Sequence, residues 1–206
     1  MIRILALITM LLDHIGYTFF PGMLIFNVIG RLAFPMFAWG VSVGYIHTRS
    51  LKRYSLRLLL LAVVSQIPYS LVFSNGYLNI CFTLFLGLIT LKIYDSELNY
   101  IVKSFMIIII LLFSHLLKLE YGAYGILTIL IFFHFKGKES MIIYYGMLTL
   151  VATLVYKYEP YQLVAALSPL IILILEHKDF KLHKIIQYGF YPIHLLLLYF
   201  IRKGGF

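Results

Sequence analysis

The chain is a succession of apolar runs, each close to the length of a membrane crossing and each stopped by a short polar, glycine or proline break. A helix rises about 1.5 Å per residue, so about 20 apolar residues, with a range of about 17 to 25, traverse a hydrocarbon layer of about 30 Å. The runs cover roughly 2–20, 24–46, 54–73, 80–93, 100–117, 122–135, 141–156, 161–175 and 184–201. The fourth, sixth and eighth are short for a full crossing, and the second, third and ninth carry Pro35, Pro68 and Pro192 inside them. The expected fold class is all-α, a polytopic transmembrane helical bundle of about nine helices (eight to ten), several short or proline-kinked. No repeat, low-complexity tract or linker divides the chain, so residues 1–206 read as a single integral membrane domain.

Composition excludes the soluble alternatives. The 206 residues are 62% hydrophobic and 12% charged, about half the charge of an ordinary soluble domain, and such a core could not hide that much apolar surface from water. The lone Cys81 has no partner for a disulfide within the chain. A net charge of +9 would raise the question of nucleic acid, but the bases gather at the ends of apolar runs, as in His47-Thr-Arg49-Ser-Leu-Lys52-Arg53 through Arg57, so no nucleic-acid partner is expected. Arg3 precedes the first run without a small-residue cleavage site behind it, so that run reads as a retained helix and not as a signal peptide. With the N-terminus inside, twelve Lys and Arg fall at inner ends, four at outer ends, and Arg31 within a span. The expected protein is therefore a multi-pass protein of the cell membrane with a cytoplasmic N-terminus and, for nine spans, an external C-terminus.

Function is sought among the ionisable residues left inside the hydrocarbon, since each costs several kcal/mol unless paired or wet. Asp13 and His14 lie in the first run, and His14 is eleven residues after Arg3. That spacing places His14 roughly 16 Å deeper than Arg3 and about 20° from it around the helix, on one face. Arg31, descending in the second run, comes to a depth where an ion pair with Asp13 is expected. Gln66 and His194 reach a similar depth, with Tyr69 and Tyr191 as possible hydroxyls. Each has a plain structural reading: Asp13 and Arg31 neutralise each other, Arg3 anchors the inner interface, and Gln66 and His194 satisfy backbone freed by Pro68 and Pro192. No histidine shows metal-ligand spacing, Gly-rich phosphate loops and Gly-x-Ser-x-Gly elbows are absent, and no metal is expected. His14, with an unperturbed pKa near 6.5, suits a general base.

Leu5-Ala-Leu-Ile-Thr-Met-Leu-Leu-Asp13-His14-Ile-Gly16 followed by Ile29-Gly30-Arg31-Leu-Ala-Phe34-Pro35-Met-Phe-Ala resembles the start of the TraX family of membrane proteins. Ser65-Gln66-Ile-Pro68, Asn79-Ile-Cys-Phe-Thr83-Leu, Tyr121-Gly122-Ala-Tyr124-Gly125 and Tyr191-Pro192-Ile-His194-Leu-Leu extend the resemblance, in order, over nearly the whole chain. The family is named for a conjugative-transfer protein that acetylates the N-terminal amine of pilin, and it looks similar to the wider membrane acyltransferase-three group. That group carries a basic residue, ten intervening residues and a histidine on its first helix, a spacing that Arg3 and His14 match. The resemblance implies acetyl-CoA as cytosolic donor and an amine or hydroxyl acceptor, such as a peptide N-terminus or an envelope glycan. It implies His14 as the catalytic base, and the depth of Asp13 and His194 adds them to the expected catalytic set, where they would hold His14 in position or stabilise charge at the thioester carbonyl. Arg3 and Arg53 would then hold the coenzyme phosphates, with Arg31, Gln66 and Tyr191 as deeper coenzyme contacts.

Two alternatives stand beside a membrane acetyltransferase. The same buried charges and broken helices suit a small transporter or its substrate-binding subunit, which has no reason to bind acetyl-CoA. A purely structural scaffold leaves His14 and His194 without purpose.

Overall fold

Helix breakers and caps divide the apolar runs into ten α-helices in the computed structural model, which describes residues 1–178 and 183–204. They are α1 (Ile2–Phe19), α2 (Leu24–Gly30), α3 (Ala33–His47), α4 (Leu51–Phe73), α5 (Ile80–Tyr94), α6 (Tyr100–Leu116), α7 (Gly122–His134), α8 (Lys138–Val155), α9 (Ser168–Leu175) and α10 (Lys184–Lys203). A 3-10 segment, Pro160–Leu167, runs straight into α9. Five segments are long and apolar enough to cross a membrane: Ile2–Phe19, Leu24–His47, Leu51–Phe73, Lys138–Val155 and Ile185–Lys203. Four shorter apolar helices complete the bundle, matching the expected short fourth, sixth and eighth runs and adding a fifth run of 17 residues, Tyr100–Leu116. Among the described residues the β-type pairing is a single bridge between Leu78 and Leu119.

Helix ends follow local chemistry. The side chains of Ser50, Asn79 and Asn99 accept from the backbone N–H groups of Arg53, Cys81 and Ile101, satisfying donors that an α-helix leaves open in its first turn. The second run breaks at Gly30-Arg31-Leu32, and Pro35 falls in the first turn of α3, where its missing N–H removes no helical bond. Pro68 and Pro192 remain inside α4 and α10, as the sequence predicts.

Successive apolar runs, with α2 and α3 together making one, alternate between two faces. One, here the basic face, carries Arg3, Thr48, Asp95 and Lys136; the far face carries Gly22, Asn75 and Glu120. Helix α1 packs on α2, α3 and α10, while α4 packs on α5 and α10. The outside of the bundle is apolar: Tyr100 and Leu116 of α6 are 77% and 74% exposed, and Ser114 is the one buried residue of that helix. Lipid chains, not water, match such a surface.

Helices α1 and α2 approach closely at two glycines. At Gly30 an added Cβ would strike the Asp13 carboxylate, and at Gly16 it would strike the Phe26 side chain. Glycine at both positions lets the two backbones close on each other. Gly30→Ala is expected to destabilise by about 1–3 kcal/mol through overpacking. Gly146→Ala, on α8 with open space around it, should instead be neutral or stabilising by about 0.5–1 kcal/mol. Thermal unfolding of the two variants in detergent checks the contrast.

Candidate active site

A hydrogen-bonded histidine pair joins the first helix to the last. His14 Nδ1 lies 2.7 Å from His194 Nε2, with the ring planes within 11° of parallel and 5.0 Å between centroids, so the rings meet edge to edge. His194 Nδ1 lies 2.7 Å from the Phe190 carbonyl oxygen one turn earlier. A carbonyl oxygen can only accept, so His194 carries its proton on Nδ1 and presents the lone pair of Nε2. His14 then donates from Nδ1, and its own Nε2 keeps a free lone pair. Both neutral rings therefore carry their proton on Nδ1, and the lone pair left over in the pair is on His14 Nε2. Both residues are buried, and His14 also meets Phe73 edge-on at 5.1 Å and Tyr191 at 6.2 Å. Phe73 is the last residue of α4, so the pair lies toward the far face.

A cavity of about 320 Å³ opens at the basic face and runs between α1, α3, α4, α5 and α10. Arg3, Arg57, Tyr54 and Gln187 ring its mouth, and Met10, Cys81, Leu84 and Tyr191 line its inner end. From Arg3 to Met10 the cavity follows α1 for roughly 10 Å. Arg3 borders the cavity with Tyr54 and Arg57 of α4 and Gln187 of α10, and His14 meets Phe73 of α4 and His194 of α10. His14 itself does not line the cavity. The space ends one helical turn short of it, at Met10 and at Tyr191, whose ring lies 6.2 Å from that of His14 and 5.8 Å from that of His194.

Several expected roles change. Asp13 and Arg31 form no ion pair within 4 Å. The break between α2 and α3 aims the guanidinium elsewhere: Nη1 donates to the Tyr121 hydroxyl (3.1 Å) and to Gln162 Oε1 (3.4 Å), and the charge lies 5.3 Å above the Tyr161 ring. The Asp13 carboxylate packs against Gly30, and its Oδ1, like Arg31 Nε, is buried without a hydrogen-bond partner. Arg31 thus belongs to a polar cluster on the far side and not to the cavity. Gln66 does not line the cavity either, and both ends of its amide are occupied within the protein. Its Oε1 accepts from the backbone N and side-chain Nδ2 of Asn79, and its Nε2 donates to Ser70 Oγ and the Tyr77 carbonyl. Arg53 is exposed outside the cavity, and Arg57, one turn further along α4, takes the position at the mouth. Tyr191 does line the cavity.

Glu120 and Gln162 enter the polar cluster without having been singled out from the sequence, and Tyr121, quoted there only within a motif, joins them. Paired strand-like bonds to Leu78 fold the α6–α7 turn inward and carry Glu120 with it: Leu78 N donates to Lys118 O (3.0 Å) and Glu120 N to Leu78 O (2.9 Å). Burial pushes the Glu120 carboxyl up to about 7, with Asp13 adding to the shift and Arg31 opposing it. Tyr121 has a left-handed backbone (φ 59°) that turns its ring onto Phe34, 4.4 Å away. The adjacent Gly122 was the one sequence signal of such a turn. Among the described residues no three His, Cys, Asp or Glu side chains gather as a metal site requires.

Together these features define a polytopic helical membrane protein with a cavity that opens at a basic rim and closes against a buried histidine pair. The chain matches the family described as TraX protein over residues 1–202 and belongs to it. It is also similar to a probable fimbrial assembly protein, FimC of serogroup H1, from Dichelobacter nodosus, at 27% identity over 96% of this chain and 92% of that one. No solved structure matches the chain.

Two outcomes are expected. Nitrogen-15 shifts of histidine-labelled protein should show Nδ1-protonated tautomers for His14 and His194; an Nε2-protonated His194 would contradict the assignment. For Glu120 the folded state holds the proton more tightly than the unfolded chain, so stability declines as pH rises from the usual carboxyl range near 4.5 to about 7. Glu120→Gln should flatten that slope in thermal unfolding measured across the same range.

Proposed function

We propose that this protein is an integral membrane acetyltransferase that moves an acetyl group from cytosolic acetyl-CoA to an amine or hydroxyl acceptor. A pilin-like peptide N-terminus is the acceptor suggested by the family and by the fimbrial assembly relative. The carrying observation is the cavity: cationic at its mouth, apolar along its length, and stopped by Tyr191 against the histidine pair. That gradient matches a coenzyme with phosphates at one end and a thioester at the other. The bias of Lys and Arg toward the same end supports a cytoplasmic basic face and N-terminus in the cell membrane.

In this reading Arg3 and Arg57 bind coenzyme phosphates and the acylated arm lies along the cavity. The acceptor reaches the histidine pair from the far face. His14 Nε2 takes the proton of the attacking nitrogen or oxygen as the new C–N or C–O bond forms. Collapse of the tetrahedral carbon breaks the C–S bond, and the coenzyme thiolate leaves and recovers the proton from His14. His194 steadies the developing imidazolium of His14, since its Nε2 lone pair accepts the Nδ1 proton throughout. Contact between thioester and His14 requires the Tyr191 ring to yield, which assigns that ring the boundary between donor and acceptor sides.

Calorimetry with acetyl-CoA on detergent-purified protein tests the reading. Wild type and His14→Ala should bind, and Arg57→Ala should bind about tenfold more weakly. His14→Ala should lose acetyl transfer by about 10²–10⁴-fold. Transfer retained in His14→Ala would remove that residue from the chemistry. Absence of acetyl-CoA binding by folded wild type would favour a transporter.

A further inference from the structure

A second hollow, of about 400 Å³, opens on the basic face on the other side of the α3 C-terminus. Tyr45, Thr48, Asp95, Phe133 and Lys136 line it, and Thr48 also lines the mouth of the first cavity. The two spaces are therefore neighbours across one residue at the α3–α4 turn. The first is lined mainly by apolar side chains behind its cationic mouth. The second is broad, shallow and differently equipped: Tyr45 and Phe133 meet edge-to-face at 5.4 Å, and the Tyr45 hydroxyl donates to Asp95 Oδ2 at 2.8 Å. That hydrogen bond fixes the carboxylate at the rim of α5, and Lys136 supplies a cation just beyond α7. The Tyr94 hydroxyl meets His134 Nδ1 beside it and ties the ends of α5 and α7 together, so the hollow is held by joined helix ends.

We propose that this second hollow takes the adenosine 3′-phosphate end of the donor coenzyme, while the acylated arm occupies the first cavity. The inference rests on the acetyl-CoA reading above and extends it to the nucleotide. Aromatic walls offer a surface for a purine ring. Asp95 is an acceptor suited to the exocyclic amine of adenine and opposed to the carbonyl that guanine carries at the same position. Lys136 matches the ribose 3′-phosphate, a group that distinguishes the coenzyme from its dephospho form. The diphosphate would cross the α3–α4 turn at Thr48, between Lys136 on one side and Arg57 with Arg3 on the other. The volume is within the range of small-molecule sites, about 300–1,000 Å³.

Asp95 and Lys136 are both exposed, so replacing either removes no packing. The test compares binding of acetyl-CoA, its 3′-dephospho form and S-acetylpantetheine to purified wild type, Lys136→Ala and Lys138→Ala. Lys138 lies on the same face but outside the hollow and controls for general charge. Wild type should prefer acetyl-CoA over the dephospho form by about tenfold. Lys136→Ala should abolish the preference while binding S-acetylpantetheine as wild type does, and Lys138→Ala should keep it. If wild type binds both nucleotides equally, or Lys136→Ala keeps the preference, the hollow is not the nucleotide site although the donor assignment stands. If folded wild type binds neither acetyl-CoA nor S-acetylpantetheine, both the donor assignment and this inference fall.

Discussion

The hydrogen bond between His14 and His194 ties the two ends of the chain together inside the bundle. Its partners are 180 positions apart in sequence, so it closes the first helix onto the last. In hydrocarbon neither imidazole can turn to water, and each must find its partner inside the protein. The Phe190 carbonyl decides which nitrogen of His194 carries a proton, and that decision passes through His194 to His14. A backbone oxygen on α10 thereby determines that a lone pair is available on α1. Tyr191, one residue after that carbonyl, walls off the cavity.

The same constraint shapes the far side. Arg31 is buried at a helix break, and the structure satisfies it with a tyrosine hydroxyl, a glutamine oxygen and an aromatic face. Gln162 and Tyr121 come from segments more than 80 residues away, so the guanidinium gathers the second half of the chain around the α2–α3 break. Asp13 and Glu120 add two carboxylates near one guanidinium. Glu120 remains largely protonated below neutral pH because burial opposes its charge. The bundle therefore separates two polar regions: a cationic rim at the basic face and a mixed-charge cluster at the far face, with the histidine pair between them.

Much of this was legible in the sequence, and the misses share a cause. Run lengths with Gly, Pro and Asn breaks located the helices, because the rise per residue and the missing proline N–H are local properties. The Arg3–His14 spacing placed both residues on one side of α1 for the same reason. Side-chain partners were not local. Arg31 was assigned to Asp13 by depth alone, but the direction of a side chain at a helix break depends on backbone angles that no periodicity reports. Gln66 looked available for a ligand until Asn79, thirteen residues later, returned to occupy its amide. Arg53 and Arg57 are one turn apart, and only packing decides which of them borders the cavity. Glu120 carried no signal in the sequence, because the bridge that draws its turn inward is made to Leu78, more than forty residues earlier. What the cavity reaches, and where it stops, came from the structure alone.

The central claim is that an acyl group enters from the basic face and rests against the histidine pair. An acyl-CoA carrying a diazirine at the acyl terminus, photolysed with the purified protein and mapped by mass spectrometry, tests that most directly. The account predicts labelling at Met10, Cys81 and Tyr191, suppressed by excess acetyl-CoA. Labelling confined to the far-face turns, or unaffected by acetyl-CoA, would contradict it.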